Sequence, residues 1–282
     1  MLIPTEAPAA ELLARTIAET QQLRLESVFR LLGLLYPARD LLNAYQGLMS
    51  GRRVLRANAQ EFLDNILTGP HRMLVRSLID DPSATEAWRE AGIDTELPVR
   101  NRADALNYLG SSCDPWLAAT AIHAGAEVDN PVARYYLEPR GGEMLNPIEK
   151  VLILQKVDIF SEVPTDQLAA LAAIAREISV LRGDVIFRVD EPADALYLVL
   201  SGEIRLHRGE QTIAVARRPT AFGTWALFDD EPRVMTATVT ETARLLRIDH
   251  AEFNDLLSDD VRIAKGIIRT VGRRLRDLAG RA

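Results

Sequence analysis

A glycine and an arginine ten residues apart, Gly223 and Arg233, form the pattern in this sequence that best fits ligand chemistry. They belong to the stretch FGTWALFDDEPRVMTATV, residues 222–239, called the Gly–Arg segment below. A glycine lets the backbone approach a ligand closely. A guanidinium and the backbone N–H groups of a helical turn together suit a compact phosphate monoanion. The segment therefore predicts an anion-binding loop, with N–H groups from Ala226 and Leu227 and the charge from Arg233.

An ion pair is the alternative role for Arg233. Three acidic residues, Asp229, Asp230 and Glu231, precede it in the sequence. Ion pairs at exposed turns are common and weak. The sequence favours ligand binding over an ion pair for Arg233, because the motif around the arginine matches the needs of a phosphate.

Catalytic patterns are not evident in the chain. The histidines are scattered, and none stands at metal-ligand spacing from another: His71, His123, His207 and His250. We find no GxSxG, P-loop or zinc pattern, and the acidic turn before Arg233 is typical of solvated loops. The sequence predicts a protein that is not an enzyme and uses neither a metal nor a cofactor.

Composition indicates a soluble globular protein of one or two domains. Of the 282 residues, 48% are hydrophobic and 26% charged. The net charge of −7 argues against a general nucleic-acid binder. A single cysteine, Cys113, fits a reducing compartment. Neither a signal-peptide pattern nor an apolar run of membrane-spanning length is present, so we expect a cytoplasmic protein.

The first half of the chain has helical periodicity from about residue 10 to 140. Apolar residues recur at spacings of three and four, and Pro37 is predicted to stop the first helix. RANAQEFL at 56–63 is repeated as RADALNYL at 102–109, and each copy is followed by a loop and a second helix. The two copies start 46 residues apart, at 56 and 102. Repeats with a period in the forties and two helices each are typical of HEAT or armadillo arrays, although an unrelated small α-domain fits as well.

A junction is predicted at Gly141-Gly142, with Pro147 starting the next helix. The sequence thus predicts an α-helical HEAT-like domain at 1–142 and a second domain at 143–282. After helices in IEKVLILQKVDIF and TDQLAALAAIAREI, the period changes to that of β-strands. The strand-like runs are DVIFRVD, ALYLVLSGEIRLHRG, QTIAVARRP, VMTATVTET and ARLLRIDH. Helices return after them, so the overall class is α+β.

The final helix, Val261–Ala282, is basic. Its apolar residues are predicted to pack inward: Ile263, Ile267, Ile268, Val271 and Leu275. The basic head groups would be solvated in the simplest interpretation. They would also suit a phosphate ligand, an anionic membrane or an acidic partner.

Four pieces of residues 145–282 resemble, in order, the cyclic nucleotide-binding domain family of kinases, ion channels and catabolite-activator-type transcription factors. They are VDIFSEVPTDQLAALAAIAREI, GDVIF, DEPADALYLVLSGEIRL and the Gly–Arg segment. The resemblance implies an antiparallel β-roll (jelly-roll) flanked by helices, with the final helix as a lid. It implies cyclic AMP or cyclic GMP as ligand. The ligand contacts that it implies are Gly223, Thr224, Ala226, Leu227, Arg233, Val234 and Thr236.

Departures from the family pattern concern the ribose side of the site. The family places a glutamate after the glycine, where this chain has Thr224. Loss of that hydrogen bond predicts roughly ten- to a hundred-fold weaker binding of a cyclic nucleotide. Val234 and Met235 are bulkier than the usual residues and are predicted to fill part of the pocket. A cyclic nucleotide, a different small anion and no ligand therefore all stay open.

The segments LESVFRLLGLLYPARDLLNAYQGL and RANAQEFLDNIL resemble the HEAT-like region of bacterial transporter-linked proteins. This resemblance implies a regulatory protein whose helical domain contacts a partner, with a membrane transporter among the candidates. We expect no DNA contact, because no helix-turn-helix follows the final helix. The rival hypothesis is a ligand-free scaffold for protein contacts.

Overall fold

The computed structural model describes residues 6–80, 89, 99–227 and 231–279. Its described residues form two compact units, one from Ile17–Asp104 and the other from Met1–Thr16 with Ala105–Ala282. The boundary predicted at 142/143 does not coincide with this division. Helices after residue 105 bury Trp116 and Ala118 in the same core as the β-roll, and that packing places them in the C-terminal unit.

The unit from Ile17–Asp104 is helical. Its described helices are α1 (Glu6–Leu32), whose first residues belong to the other unit, α2 (Ala38–Met49), α3 (Arg53–Ile66) and α4 (Gly69–Asp80). The core contains Leu41, Tyr45, Leu63 and Leu67. Helix α1 ends at Leu32, five residues before the predicted stop at Pro37, and Pro37 stands immediately before α2.

Five further helices precede the sheet: α5 (Arg102–Gly110), α6 (Pro115–His123), α7 (Arg134–Leu137), α8 (Pro147–Leu154) and α9 (Thr165–Ile174). The start of α8 confirms the predicted helix start at Pro147. Asn146 caps α8 by accepting from the Glu149 amide, and the Glu149 side chain accepts from the Asn146 amide. The two copies of the repeated sequence lie on α3 and α5, and a HEAT array stays a prediction.

Six antiparallel strands build the sheet within the described residues. They are β1 (Arg176–Val180), β2 (Val185–Phe187), β3 (Ala195–Arg208), β4 (Gln211–Arg217), β5 (Ala221–Phe222) and β6 (Thr236–Asp249). The order is β1-β6-β3-β4, with β2 paired to β6 and β5 paired to β3. Register shifts between Val199 and Ile204 interrupt the β3–β6 pairing. Such irregularities bend and twist long strands, which suits a roll.

Strand β1 corrects a prediction, because residues 176–178 were expected to continue a helix. Helix α9 ends at Ile174, and Arg176–Val180 pairs with Ala243–Arg247 of β6. Five residues are too few for their alternation to stand out beside the preceding helical period.

Strand β3 separates two hydrophobic cores. Tyr197, Val199 and Ala195 lie in the core enclosed by the strands. Leu196, Leu198 and Leu200 lie in the core shared with the helices. Alternate side chains of a strand point to opposite faces, so one strand serves both cores.

Two helices close the described chain: α10 (His250–Asp259) and α11 (Val261–Ala279). On α11 only Ile263 and Ile267 are buried among the residues predicted to pack inward. That prediction was wrong for Ile268, Val271 and Leu275, which are 68%, 43% and 62% exposed. Apolar residues occur on two faces of this helix, and packing covers one of them. None of the described helices carries an apolar stretch that would cross a membrane.

A buried lysine fixes the junction before α8 to the roll. Lys150 Nζ donates to Glu143 at 2.6 Å and to the Ala175 carbonyl at 2.6 Å. Glu177 on β1 accepts from the amide of Leu145 and from Arg244. Burial raises the pKa of Glu177, but the hydrogen bonds from Arg244 and the backbone outweigh it, so its net pKa lies below the ordinary 4.5.

Candidate functional site

The loop before β3 holds Arg233 by its backbone. The Arg233 N–H donates to the Glu191 carbonyl, and the Asp190 N–H donates to the Arg233 carbonyl, both at 2.8 Å. The side chain turns into the roll, where 3% of it is exposed. The structure therefore places the cation of the Gly–Arg segment in the interior of the sheet rather than at its surface.

The guanidinium of Arg233 has contacts on several sides. Its Nη2 donates to the Ala195 carbonyl at 2.7 Å and to Asp194 Oδ1 at 3.0 Å, and Nη1 donates to the Gly223 carbonyl at 3.4 Å. Its Cζ lies 4.1 Å from the ring centroid of Phe187, a cation–π distance. Nε is buried and has no hydrogen-bond partner within the described part of the chain. The guanidinium thus keeps its Nε–H for a further acceptor.

Aromatic rings surround this cation. Tyr197 stacks on Phe222 with centroids 5.4 Å apart and planes inclined by 15°, and Phe187 lies 6.0 Å from each of them. Burial raises the pKa of Tyr197, with Asp194 adding to the effect, so the phenol stays neutral. Low-dielectric walls strengthen the attraction between Arg233 and any anion that reaches it.

The absence of a side chain at Gly223 leaves space for the guanidinium of Arg233. Its φ is +71°, in the left-handed region, and a Cβ there would lie 2.6 Å from Arg233 Nη1. The predicted reason for this glycine was close approach of a ligand. The structure shows close approach of the arginine side chain itself.

A second arginine shares the carboxylate that binds Arg233. Asp194 Oδ2 accepts from Arg247 Nη2 at 3.1 Å, and Arg247 Nε donates to Asp249 at 2.7 Å. The Asp194 carbonyl also accepts from the His250 amide, the first residue of α10, at 2.8 Å. Asp194 therefore lies between the buried cation and the start of the closing helices, and 58% of its side chain is exposed.

The comparison with protein families identifies this arrangement. The cyclic nucleotide-binding domain family matches residues 177–260, which include Asp194, Gly223 and Arg233. Residues 177–260 form a cyclic nucleotide-binding domain. The resemblance seen in the sequence is confirmed for this range, and the comparisons do not extend it to a HEAT-like region.

Regulatory proteins carry similar domains. A CRP-like cAMP-activated global transcriptional regulator of Mycobacterium tuberculosis is 30% identical over 129 residues, which are 44% of this chain and 58% of the regulator. A cAMP-dependent protein kinase regulatory subunit of Dictyostelium discoideum is 26% identical over 39% of this chain and 34% of the subunit. The chain thus spans less than two thirds of either relative.

One solved structure with 31% identity is the N-terminal domain of a transcriptional regulator from Streptomyces coelicolor. The match covers 45% of this chain and 94% of that domain, with a TM-score of 0.42.

The predicted phosphate amides are only partly available in the cyclic nucleotide-binding domain. The Ala226 N–H donates to the Gly223 carbonyl at 3.1 Å within a short 3-10 turn, Thr224–Leu227. Ala226 and Leu227 are buried at 1% and 2% exposure, whereas Thr224 is half-buried. An anion would have to displace the Ala226 contact to use that amide, because one N–H makes one strong hydrogen bond.

The residues after Arg233 differ in exposure. Val234 is 55% exposed, whereas Met235 packs against the inner core of the roll, and the filling of the pocket by these two residues stays a prediction. Thr236 accepts from the Val189 amide at 3.1 Å through its hydroxyl and so fixes the loop before β3. Val234 and Met235 form a bend immediately before β6 begins at Thr236.

Sequence reasoning missed the partner of Arg233. The expected acidic partners were Asp229, Asp230 and Glu231, of which the first two lie outside the described residues. The observed partner is Asp194, 39 residues away in sequence. The acidic hairpin DEPAD was visible in the sequence, but only the strand pairing shows that it faces Gly223. Among the residues described, no group of His, Cys, Asp and Glu side chains is arranged to hold a metal ion.

Proposed function

We propose that the chain is a non-catalytic regulatory protein whose cyclic nucleotide-binding domain senses a cyclic nucleotide or a similar small phosphate at Arg233. The observation that carries this proposal is the buried guanidinium, 3% exposed, whose Nε has no partner among the described residues. A buried donor without a partner costs about 1–3 kcal/mol. A phosphate oxygen would satisfy it and gain a charge-assisted bond.

Ligand binding would exchange one acid for another at Arg233. Asp194 is more than half exposed and has Arg247 as a second partner, so it can release Arg233 and keep a cation. A phosphate that takes both Nε and Nη2 replaces the Arg233–Asp194 hydrogen bond, and the loss of that bond opposes binding. The binding free energy then reflects the difference between the bond of Arg233 to the phosphate and its bond to Asp194, rather than the full strength of either bond.

The ligand class proposed is cyclic AMP or cyclic GMP, held mainly by its phosphate. Thr224 stands where the family places a ribose-binding glutamate, and its side chain is shorter. Binding through the phosphate half alone predicts poor discrimination between the two nucleotides, because the cyclic phosphate is common to both.

A signal from this site would pass to the closing helices through Asp194. The Asp194 carbonyl accepts from the first amide of α10, and α10 leads directly into α11. A change in the loop that carries Asp194 therefore acts on the start of α10. Signalling needs a ligand that binds one arrangement of these helices better than the other.

The helical unit is proposed to contact a protein partner. Leu31, Leu34 and Leu35 are 64%, 81% and 67% exposed around the end of α1. Large apolar side chains grouped at a surface favour a protein contact. A membrane transporter as that partner, a cytoplasmic location and the absence of DNA contacts stay predictions, and the relative from M. tuberculosis is itself a transcriptional regulator.

The alternative is a scaffold that has lost its ligand. The specific observation in its favour is that Arg233 already donates to Asp194, Ala195 and Gly223. In that case the arginine would stabilise the roll and nothing more.

Calorimetry on the full chain separates the two functions. Cyclic AMP and cyclic GMP are titrated into the wild type, Arg233→Ala and Arg217→Ala. Arg217 is the matched control, since it lies on β4 of the same roll, has a 70% exposed side chain and pairs with Glu203. We expect binding by the wild type and Arg217→Ala and none by Arg233→Ala.

Arg233→Lys guards against a folding defect, because it keeps the charge and should retain weakened binding. The absence of any heat from the wild type at millimolar nucleotide would refute the sensor function and leave the scaffold.

A further inference from the structure

A cavity of about 740 Å³ lies between α11, the 3-10 turn at Asp158–Phe160 and the loop leading into β5. Its apolar wall includes Val157, Ile159, Ile267, Val271 and Leu275. Sites for small molecules usually enclose about 300–1,000 Å³ and are lined mainly by apolar groups. The cavity therefore has the size and lining of a ligand site.

This cavity does not reach the Arg233 guanidinium. Arg233, Phe187 and Tyr197 do not line it, whereas Thr224, which the proposed nucleotide site places beside the ribose, does. Ribose and cyclic phosphate are rich in polar groups that need hydrogen-bond partners when buried. The apolar side chains of α11 and the 3-10 turn offer no hydrogen bonds, so this part of the cavity favours an apolar ligand body.

The charges at the cavity favour an anionic head group. Lys156 and Arg274 line it as cations, and Asp158 lines it as the acid. Arg274 Nη2 contacts Asp158 at 2.6 Å, an exposed pair of the kind that contributes little, and Lys156 adds a further positive charge. The net charge of the three is positive.

We infer that this cavity binds an amphipathic carboxylate, with an apolar body against α11 and the 3-10 turn and an acidic head at Lys156 and Arg274. The inference goes beyond the proposed nucleotide sensing and does not depend on it. It also gives a role to two apolar residues of α11, Val271 and Leu275, that stay substantially exposed. An aliphatic chain in the cavity would cover the faces that they turn toward it.

Decanoate, used below its micelle-forming concentration, is the probe for a calorimetric titration of the full chain. Val271→Glu places a negative charge in the apolar wall. Ile268→Glu is the matched control, because Ile268 lies on the same helix, is 68% exposed and does not line the cavity. We expect Val271→Glu to weaken decanoate binding at least about tenfold and Ile268→Glu to leave it within about twofold.

The head-group contact has its own comparison. Decanol has the same chain without the charge and should bind more weakly than decanoate. Lys156→Met should reduce that preference, while a purely apolar site would leave it unchanged. Arg233→Ala should keep decanoate binding, so failure of the nucleotide proposal and failure of this one are separate results.

Three outcomes overturn the inference. Equal loss of binding in Val271→Glu and Ile268→Glu would assign the effect to the exposed face of α11 in general. Competitive displacement of decanoate by cyclic AMP, lost in Arg233→Ala, would make the cavity part of the nucleotide site. Absence of decanoate binding, with a dimer in sedimentation that both glutamate variants dissociate, would make it a surface between two copies of the chain.

Discussion

Gly223→Ala tests the close contact between Gly223 and Arg233. The backbone angle of +71° is unfavourable for alanine by about 1–2 kcal/mol. The new Cβ would also lie 2.6 Å from Arg233 Nη1, so the guanidinium must retreat toward the 3.4 Å of ordinary contact, a shift of roughly 0.8 Å. That shift lengthens the bonds from Arg233 to Ala195 and Asp194, now 2.7 and 3.0 Å.

Hydrogen bonds of charged groups contribute about 1.5–3 kcal/mol each. Weakening this pair adds about 2 kcal/mol to the backbone term, so Gly223→Ala should lower the free energy of unfolding by about 3–4 kcal/mol. Gly209→Ala is the matched control, because its φ is +56° and a Cβ there meets nothing within 4 Å. It should lose only the backbone term of about 1–2 kcal/mol.

Urea denaturation of the full chain, followed by tryptophan fluorescence, provides the measurement. Two of the three tryptophans, Trp116 and Trp225, belong to the C-terminal unit. In an Arg233→Ala background most of the extra loss at Gly223 should disappear, because the nearest group is gone and the Ala195 carbonyl, 3.3 Å from the Cβ, is the close contact that stays. Equal destabilisation by Gly223→Ala and Gly209→Ala in the wild-type background would refute the steric account of Gly223.

Three further predictions concern affinity, packing and pH. Thr224→Glu should tighten cyclic AMP binding about ten- to a hundred-fold in calorimetry, because a carboxylate returns to the ribose side of the site. Lys150→Met should lower the free energy of unfolding by about 3 kcal/mol in urea, because Glu143 then loses its buried partner. The folded-state pKa of Glu177 lies below 4.5, so its contribution to stability is present above that pH and is lost as the pH falls through the folded-state value. The wild type should therefore lose stability more steeply below pH 4.5 than Glu177→Gln.

Each of these predictions has a contrary result. Unchanged cyclic AMP affinity in Thr224→Glu would show that the ribose does not reach this position. The control for Lys150→Met is Lys156→Met at an exposed position, whose free energy of unfolding should stay within about 0.5 kcal/mol of the wild type. An equal loss of stability at both positions would contradict the argument from burial. Parallel acid profiles for the wild type and Glu177→Gln would mean that the hydrogen bonds of Glu177 do not contribute.

The sequence predicts the roll well, because period-two alternation and turn residues are local signals. The run ALYLVLSGEIRLHRG is β3 almost residue for residue, and the closing helix begins at Val261 as predicted. The Gly–Arg segment was also recognised from local sequence, although the contact that the structure shows between Gly223 and Arg233 was not predicted. These features depend on residues that are neighbours in sequence or in one motif.

Features set by tertiary pairing were beyond the sequence. Asp194 contacts Arg233 because the loop before β3 and the backbone of Arg233 exchange two hydrogen bonds. The exposure of Ile268 beside the buried Ile267 depends on which face of α11 meets the roll. Periodicity gives the apolar positions of a helix, but it does not select between two apolar faces.

Strand β3 has a consequence for how freely the domain can vary. All six residues from Ala195 to Leu200 are buried, and at most 8% of any of them is exposed. A strand with one wet face accepts polar residues at every second position. This strand offers no such positions, so a mutational scan should find six successive sites that reject charge. Any variant that changes the interior around Tyr197 must therefore keep Leu196 and Leu198 packed against the helices. New ligand preferences should arise from substitutions in the loops rather than in β3.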